Sequence, residues 1–528
     1  MKKLIFSFWS LFCGIVINAQ VYSNYYANRS AFVETMPLLN TDNVENVLKI
    51  FMPTINAEEL VSRNSESNLG NEPFEFGYGF DVNYSLEDGV WSENNDKRIW
   101  SLQFKSDGAY SLNFIFSELK LVPNAELYIY STNGQMVYGP VTDKQNIPDN
   151  RSIFLTDLVA GDDVIIRLIE PITTNTSSLR ITKVVHAYID MLGITSTRST
   201  TYTCHNDVAC YPAWDTESDG VALILAGWSS CTGALLNNTA QDYRPFLLTA
   251  FHCIDKKEGT LWRRDGKLSA QEISAAENWA FRFKYKKMNC NGNVIYTTVT
   301  YNYATFRAAA FQSDFALMEL DNDVRKETSF LGWDRSGTYP TSGTGIHHPS
   351  GDVMKISFDE DKIKYNKDAM RDDDYLYHSA ETLWVSVFDD GTTEGGSSGS
   401  PLFDQNKRVV GQLHGEKSGE EGCPPSTKYY GRLYTSWTGG NTNSTRLSNW
   451  LDPMGYNSNT LNTLTCPTST LNLLNQNITT NTTYTRCSDI NIQNVSVQNS
   501  AKLTIETTGK VILGVGFKVE LGSKLEIK

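Results

Sequence analysis

The 528-residue sequence has no run of lysine and arginine and no basic stripe interleaved with aromatic residues. Its formal net charge is -14, whereas a nucleic-acid-binding surface is usually basic. We therefore do not expect nucleic acid as a partner. After the first twenty residues, no stretch approaches the about 20 apolar residues that a membrane-spanning helix needs, so we predict no transmembrane segment in the mature protein.

Cysteine is absent between Gln20 and Thr203, and no two cysteines form a CxxC pair, which makes a zinc cluster a weak interpretation. Apart from Cys13, eight cysteines follow, all between Cys204 and Cys487. An even number in an exported chain favours disulfides. Their uneven distribution predicts a domain boundary near residue 200.

The first residues, MKKLIFSFWSLFCGIVINAQ, join a basic start to an apolar run and then to small or polar residues. This pattern is typical of a secretory signal peptide over residues 1–19, with cleavage after Ala19. Cys13 offers a lipoprotein site as the alternative, but Phe12 before it is bulkier than such sites usually allow. We therefore predict a protein secreted to the extracellular space or cell surface.

Residues 20–198 alternate apolar with polar positions, as in RIWSLQFKSDGAYSLNFIF, and contain Asp-Gly and Asn-Gly turns. Short antiparallel strands of this kind predict a β-sandwich. His186 is the only histidine in this region and is expected to be a surface or core side chain. Beyond Arg180 the chain becomes rich in serine, threonine and arginine, and a processing site at or near Arg198 would fit. We predict that residues 20–198 are a propeptide.

The central region carries a histidine, an aspartate and a serine in that order along the chain. His252 follows the apolar run PFLLTA, Asp314 heads the alternating stretch SDFALMEL, and Ser398 lies in the glycine-rich turn GGSSGSPLF. Serine becomes a nucleophile when an imidazole takes its proton and a carboxylate orients that imidazole. The order matches chymotrypsin-type proteases. An α/β-hydrolase is disfavoured, because Ser400 breaks the G-x-S-x-G pattern and no suitable acid and histidine follow the serine.

Glycines at Gly396 and Gly399 allow the backbone to turn tightly around Ser398. The amides of Gly396 and Ser398 can therefore form an oxyanion hole. Taken alone, such a serine is more often part of a linker, and an aspartate before a strand is more often a cap. Together, in order and in matching contexts, the residues favour an active triad.

Residues 204–455 resemble the lysyl endopeptidase family of secreted bacterial serine proteases, which has the chymotrypsin-like double β-barrel. The resemblance rests on FLLTAFHC, SDFALMEL, LGWDRSGTYP, GIHHP, TEGGSSGSPLF, KRVVGQLHG and YGRLYTSWTGG. It implies a peptidase domain over residues 199–465 and a triad of His252, Asp314 and Ser398. It also implies three disulfides, namely Cys204–Cys423, Cys210–Cys290 and Cys231–Cys253.

The same resemblance implies no metal and no cofactor. His347 and His348 could be imagined as metal ligands, yet the HHP stretch occurs in the family without that role. Trypsin-like zymogens pair a freed N-terminus with an acid just before the catalytic serine. Here that position is Ser397, so this ion pair cannot form, and the propeptide is expected to assist folding or to cover the cleft.

One departure from the family concerns the substrate pocket. The aspartate that recognises lysine in the family corresponds to Lys428, and the acid of trypsin-like pockets corresponds to neutral Thr392. Losing one partner of a buried charge pair commonly costs about 2 to 5 kcal/mol. We therefore predict a P1 preference (P1 is the residue before the cleaved bond) shifted from lysine toward acidic or uncharged residues.

The alignment of the pocket leaves an alternative open. A shifted register around Cys423 would let Glu416, Glu420 or Glu421 restore an acid to the pocket. His414 and Gly415 are expected to line the cleft wall, where His414 has a binding role and is not a base.

The end of the chain changes character twice. The peptidase is expected to end in a helix over STRLSNWLDPMG, stopped by Pro453. Residues 466–528 contain the near-repeats NSAKLTIE and GSKLEIK, which predict a small appendage of stacked β-strands. A disulfide between Cys466 and Cys487 would staple its base.

These observations predict a mostly β, secreted, monomeric serine endopeptidase that is made as a precursor. Its expected partners are protein or peptide substrates and its own propeptide. The alternative is a catalytically silent, protease-like binding or adhesion protein, favoured by the altered pocket and by the unusual Phe251 beside His252.

Overall fold

A computed structural model gives the fold. It describes residues 20–26, 29–36, 39, 47–67, 73–94, 96–173, 175–193, 201–257, 264–290, 292, 295–372, 376–417 and 422–527. The expected signal peptide, Arg198, Glu420 and Glu421 lie outside the described residues. Within them, residues 20–464 form one compact unit and residues 465–527 belong to a second one.

Strands are the main regular element of the described residues. In the first part of the chain β1 to β13 are Val21–Tyr25, Lys49–Phe51, Phe74–Glu75, Gly77–Ser85, Val90–Asn94, Lys97–Lys105, Ser111–Lys120, Glu126–Ser131, Met136–Val141, Phe154–Leu155, Val159–Ala160, Asp163–Pro171 and Ser178–Ala187. Strands β14 to β21 are Asn206–Asp207, Val221–Ala226, Ser229–Leu236, Phe246–Ala250, Ala280–Phe283, Thr298–Asn302, Ala304–Ala310 and Phe315–Leu320.

Strands β22 to β34 are Ser329–Phe330, Trp333–Asp334, Gly343–His347, Lys355–Asp359, Lys364–Tyr365, Met370–Arg371, Tyr377–His378, Leu383–Phe388, Pro401–Phe403, Val409–Glu416, Ser426–Arg432, Thr460–Leu461 and Leu464–Thr465. Strands β35 to β41 are Leu471–Ile478, Thr482–Arg486, Ile490–Val497, Lys502–Thr507, Val511–Leu513, Lys518–Val519 and Lys524–Ile527. Helices α1 to α6 are Arg29–Thr35, Ala57–Ser67, Asp215–Ser218, Ala270–Ala276, Leu433–Thr438 and Ser448–Leu451.

The N-terminal region is a β-sandwich, as the alternating sequence predicts. One sheet has the order β10-β7-β13-β4, and the other contains β2-β6-β12-β8-β9-β1. Side chains from the two sheets meet in one apolar core, in which Phe104 of β6 and Phe114 of β7 are fully buried. The two aromatic rings lie 5.3 Å apart between centroids.

The first barrel follows in the order β19-β18-β15-β16-β17-β21-β20, with antiparallel neighbours. Strands β19 and β20 stand at opposite ends of this order, yet Tyr303 alone joins them in sequence. Such a short connection requires the two ends of the sheet to come together, so the sheet rolls into a barrel. Its interior is apolar and includes the fully buried Leu247, Phe281 and Met318.

The second barrel has the strand order β25-β24-β30-β31-β32-β29. A β-bridge between Phe358 and Asp390 returns from the end of β29 to β25 and closes it. Leu248 and Leu317 of the first barrel share one apolar cluster with Ile346 and Phe403 of the second. The predicted double β-barrel is therefore confirmed.

The sandwich and the first barrel are joined by strand β1, a link that the sequence patterns did not predict. Strand β1 pairs with β9 of the sandwich on one side and with β19 of the barrel on the other. Strand β3 also pairs with β16 of the barrel. One sheet therefore runs through both regions.

A buried ion pair lies at this junction. Arg282 Nε of β18 is 3.3 Å from Asp157 Oδ2 of the sandwich, and both side chains are fully buried. Ser23 Oγ and Thr300 Oγ1 donate to the same carboxylate oxygen at 2.6 and 3.1 Å. Removing one partner of such a pair is strongly destabilising, because the other charge stays buried without compensation.

Four disulfides cross-link the part of the chain that the structure describes. The bonds are Cys204–Cys423, Cys210–Cys290, Cys231–Cys253 and Cys466–Cys487. The first three are the pairs that the resemblance implies, and the last is the proposed staple of the appendage.

The C-terminal unit is a small stack of parallel strands. Strands β35, β37 and β39 form one ladder, and β36, β38 and β41 form another. Asn472 contacts Asn491, and Asn475 contacts Asn494, each pair being 19 residues apart. The near-repeats in the sequence thus correspond to successive turns of a β-solenoid, with Ile490, Ile492 and Leu503 buried inside.

The predicted terminal helix is shorter than expected. Helix α6 spans only Ser448–Leu451, because the chain leaves the helical conformation at Asp452, before Pro453. Leu447 and Leu451 are nevertheless fully buried against the barrels. In the described part of the chain, no helix combines the length and the apolar character needed to cross a membrane.

We predict that Asp157→Asn lowers the free energy of unfolding of the 20–464 unit by about 3 to 5 kcal/mol. Arg282→Met should have a similar effect, and the double variant should lose less than the sum of the two, because each removes the same pair. Denaturant unfolding measures all three. Asp81→Asn is the matched control, because Asp81 pairs with Lys183 while 87% exposed. Additive losses at the two buried positions would contradict the coupling.

Candidate active site

The three predicted catalytic residues stand at strand ends where the barrels meet. His252 lies in a 3₁₀ turn directly after β17, and Asp314 directly precedes β21. Strands β17 and β21 pair with each other, and Ala250 lies opposite Phe315. The turn that follows β17 is therefore adjacent to the turn that precedes β21. Ser398 lies in the turn before β30 of the second barrel.

His252 and Asp314 form a buried pair. His252 Nδ1 is 2.7 Å from Asp314 Oδ2, and the backbone amide of His252 donates to Asp314 Oδ1 at 3.0 Å. Two bonds to one carboxylate fix the orientation of the ring and hold a proton on Nδ1, which leaves Nε2 as the basic nitrogen. Nε2 is buried and has no hydrogen-bond partner among the described residues.

Asp314 is held in a strained conformation and stays ionised. Its φ of 49° lies in the left-handed region, which costs energy in a residue other than glycine and is typical of functional sites. Burial alone would raise the pKa of Asp314, but the electrostatic pull and the hydrogen bonds of His252 and His414 outweigh burial and hold that pKa well below its usual value.

His414 contacts the same carboxylate, whereas its sequence context predicts a place on the cleft wall. Its Nδ1 is 2.8 Å from Asp314 Oδ2, and its side chain is 3% exposed. Burial lowers the pKa of His414 to about 4, so the ring is neutral at pH 7 and can donate from Nδ1. His378, whose ring centroid is 4.5 Å away, packs against it. His414 therefore lies behind the aspartate and helps to keep it charged.

His252, Asp314 and His414 also have the spacing of a metal site, with candidate ligand atoms within 4.8 Å of one another. Both Nδ1 atoms are engaged with the same carboxylate oxygen, however, and a nitrogen that donates a proton cannot bind a cation at the same time. The geometry is that of an imidazole–carboxylate network.

Ser398 is anchored to the strand beside His252. The amide of Thr232 donates to the Ser398 carbonyl at 2.8 Å, and the neighbouring Cys231 is bonded to Cys253, which follows His252. Gly399 has a φ of 82°, and a Cβ there would lie 2.2 Å from Thr249 Oγ1. The turn can therefore approach the first barrel closely only with glycine at this position.

The backbone carbonyls before Ser398 are engaged in hydrogen bonds with the rest of the fold. The carbonyl of Gly395 accepts from the Ser350 amide at 2.6 Å, and the carbonyl of Gly396 accepts from Thr232 Oγ1 at 2.8 Å. Within the described residues, the amides of Gly396 and Ser398 donate to no backbone oxygen. Both amides are thus available to a developing oxyanion.

Neutral His347 binds Ser397, the residue at the position where trypsin-like enzymes have an acid. His347 Nδ1 is 2.8 Å from Ser397 Oγ, and His347 Nε2 is 3.2 Å from Ser357 Oγ. Burial holds the pKa of His347 well below its usual value. The hydroxyl of Ser397 is therefore fixed without an ion pair.

A buried charge pair lies on the adjacent strands β31 and β32, where the sequence predicts the substrate pocket. Lys428 Nζ contacts Glu416 Oε2 and lies 3.5 Å from the Thr393 carbonyl. The Lys428 side chain is fully buried, whereas that of Glu416 is 22% exposed. Thr392 is also buried, and its Oγ1 is 3.2 Å from Ser426 Oγ. Gly415 is half-buried and lies opposite Tyr429, next to a β-bulge.

Two comparisons of the sequence with known proteins find similarity to lysyl endopeptidases. A family model described as "Lysyl endopeptidase, C-terminal domain" matches residues 199–431. A lysyl endopeptidase of Pseudomonas aeruginosa is 25% identical over 314 residues, which cover 54% of this chain and 61% of that protein. The chain thus matches less than two thirds of that relative. Residues 199–431 are therefore similar in sequence to the C-terminal domain of lysyl endopeptidases.

Solved structures give weaker likenesses. The Rv3671c protease from M. tuberculosis is 14% identical with a TM-score of 0.28, and the match covers 45% of this chain and 87% of that one. A Glu endopeptidase is 19% identical with a TM-score of 0.26, covering 41% and 85%. The protease domain of MamO from Magnetospirillum magneticum is 12% identical with a TM-score of 0.28, covering 42% and 95%.

We predict that stability falls as the pH falls from 6.5 to 4. Burial lowers the pKa of His186 and His414 to about 4 and of His348 to about 3, and holds that of His347 well below its usual value. Unfolded histidine titrates near 6.5, so each of them takes up a proton on unfolding in this range. Asp255, whose pKa burial raises to about 7, opposes this by releasing one.

The slope of the unfolding free energy against pH should therefore correspond to a net uptake of about three protons. Denaturant titrations between pH 4 and 7 measure this slope. His186→Gln, which lies in the sandwich away from the triad, should reduce the uptake by about one. A flat profile would contradict the prediction.

Proposed function

We propose that this chain is an exported serine endopeptidase, made as a precursor, with Ser398 as nucleophile. The observation that supports it best is His252, held by two bonds to a buried carboxylate beside the strand that anchors Ser398. The lysyl endopeptidase-like sequence of residues 199–431 points to the same chemistry. The four disulfides suit an exported protein.

In this proposal the residues divide the work of peptide hydrolysis. His252 Nε2 takes the proton of Ser398 as the hydroxyl attacks the peptide carbonyl, and Asp314 stabilises the resulting imidazolium. The amides of Gly396 and Ser398 donate to the oxyanion, and losing one such donor typically costs about 3 to 4 kcal/mol of transition-state stabilisation. The imidazolium then protonates the leaving amine, and water hydrolyses the acyl-enzyme.

The parts of the precursor take separate roles in this proposal. Residues 20–198 are the propeptide, residues 199–465 are the peptidase domain, and residues 466–528 are the appendage. The extended sheet and the buried Arg282–Asp157 pair support a propeptide that folds together with the barrel.

We expect a serine-directed fluorophosphonate to label the wild-type chain once, and Ser398→Ala to abolish labelling. Peptide hydrolysis should fall by about 10⁴-fold or more in this variant, because no nucleophile remains. Ser400→Ala is the matched control, since Ser400 is a fully buried serine two positions away and should keep both signals. An unlabelled wild-type chain would favour the protease-like binding protein instead.

We also propose that the P1 preference has moved from lysine toward acidic or uncharged residues. Lys428 is the buried charge of the pocket, and its partner Glu416 is partly exposed. A substrate carboxylate could replace Glu416 at Lys428, whereas a substrate ammonium group would be repelled by Lys428. Substrate selection therefore depends on which ion Lys428 accepts.

Cleavage of a peptide library by two opposite variants tests this preference. Lys428→Asp should raise the kcat/KM ratio of lysine over glutamate substrates by about 30-fold or more, because it turns repulsion into pairing. Glu416→Gln should shift the ratio toward glutamate, because Lys428 loses its partner. A wild-type enzyme that cuts strictly after lysine would contradict the proposal.

A further inference from the structure

The first residues of strand β16 form an edge of the first barrel, close to the turn that carries His252. Strand β16 pairs with β17 only from Ala234 to Leu236, so its first residues extend beyond the end of β17. Ser229 and Ser230 lie in this extension and lead directly to Cys231, whose disulfide partner follows His252. On one side they pair with β15, and on the other side they lie beyond the residues that pair with β17.

A segment of the N-terminal region fills this edge. Phe74 pairs with Ser230 and Glu75 with Ser229 in antiparallel orientation. The amides of Phe76 and Gly77 donate to the Trp228 carbonyl at 3.0 and 3.3 Å. Residues 73–77 therefore add one strand to the barrel by main-chain hydrogen bonds, which is how extended peptides bind a sheet edge.

This strand reaches the turn that carries Ser398. A Cβ placed on Gly396 would lie 3.4 Å from Phe74 Cβ, and Gly396 carries one of the proposed oxyanion-hole amides. On its other side the strand borders a cavity of about 960 Å³ that is lined by Pro73, Glu75, Cys253 and Asp255. The segment thus lies against the turn that carries Ser398 and borders a cavity formed in part by residues that follow His252.

The direction of the segment is that of a leaving peptide. From Phe74 to Glu75 the chain runs from Ser230 toward Ser229, and so away from Cys231 and the catalytic turn. When Ser398 attacks a peptide bond, the residues after that bond run from the serine outward in the N-to-C direction. The acyl half of a substrate would run toward the serine.

The segment is held in place by the rest of the sandwich. Phe74 is 5% exposed and Phe76 is fully buried, and both belong to an apolar cluster with Leu223 and Leu225 of the barrel. The Phe76 carbonyl accepts from the amides of Tyr188 and Ile189 at 3.0 and 3.2 Å. A free peptide has to displace a strand that is fixed by both main-chain and side-chain contacts.

We propose that residues 73–77 of the precursor occupy the subsite for the residues after the scissile bond, and so block extended substrates while leaving the triad assembled. This inference rests on the proposed endopeptidase function. It concerns only substrates that continue past the cleaved bond. A small acylating compound does not need this subsite.

Two substrates with the same acyl half separate this blockage from catalysis. One ends in a small chromogenic leaving group, and the other continues for several residues after the scissile bond. In the intact full-length chain, with integrity checked by mass spectrometry, Phe74→Ala should raise kcat/KM for the long substrate by about tenfold or more, because a large buried anchor is lost. Hydrolysis of the short substrate should change less than about twofold, because its leaving group does not reach this strand.

Two controls and a milder variant define the result. Asp107→Asn changes a side chain of the sandwich that is 71% exposed and lies outside this segment, so it should leave both rates unchanged. Leu127→Ala loosens the sandwich core away from the cleft and should not favour the long substrate. Phe74→Leu keeps an apolar side chain and is therefore less prone to misfold than Phe74→Ala. It should raise kcat/KM for the long substrate by a smaller factor.

The outcomes distinguish the two proposals. If the wild-type chain hydrolyses both substrates well and Phe74→Ala and Phe74→Leu leave the long-to-short ratio unchanged, the occupancy is overturned while the endopeptidase function stands. An equal change in Leu127→Ala would also overturn it, as general loosening. If no variant is labelled by fluorophosphonate or hydrolyses either substrate, both proposals fail.

Discussion

The site depends on one carboxylate that remains charged inside the protein. Asp314 is 1% exposed and accepts hydrogen bonds from the His252 backbone, the His252 ring and the His414 ring. Without these donors, burial would favour the protonated acid, and a neutral acid could not support an imidazolium. The paired strands β17 and β21 bring His252 and Asp314 together, and β31 of the second barrel supplies His414.

The second constraint is the close approach of the two barrels at the serine turn. Gly399 lies against Thr232 and Thr249 so tightly that no other side chain fits there. The Cys231–Cys253 disulfide links strand β16, which anchors Ser398, with the turn that carries His252. The disulfide and the close contact at Gly399 thus both restrict the distance between the turn that carries Ser398 and the turn that carries His252. Proton transfer between these two residues requires a hydrogen-bond distance.

Local sequence patterns predicted the parts of the fold but not the long-range register. Alternation and turn residues predicted the sandwich, and the order and contexts of His252, Asp314 and Ser398 placed all three at strand ends. The contact between His414 and Asp314 follows a β-bulge between Leu413 and Gly415, and a bulge changes which face a side chain occupies. The Lys428–Glu416 pair likewise depends on the register of β31 against β32. Pairing of Val21 with Thr300 across the chain leaves no local signal at all.

The N-terminal region and the barrel share one sheet, one apolar cluster and a buried ion pair. This integration places strand β3 of the N-terminal region against strand β16 of the barrel, the strand whose Thr232 binds the Ser398 carbonyl. The central claim remains that the Asp314 carboxylate activates Ser398 through His252, and the rate at which a fluorophosphonate acylates Ser398 tests it most directly. In Asp314→Asn the amide removes the charge with little change of shape, and the rate should fall by about 10⁴-fold. An unchanged rate in a correctly folded variant would contradict the account.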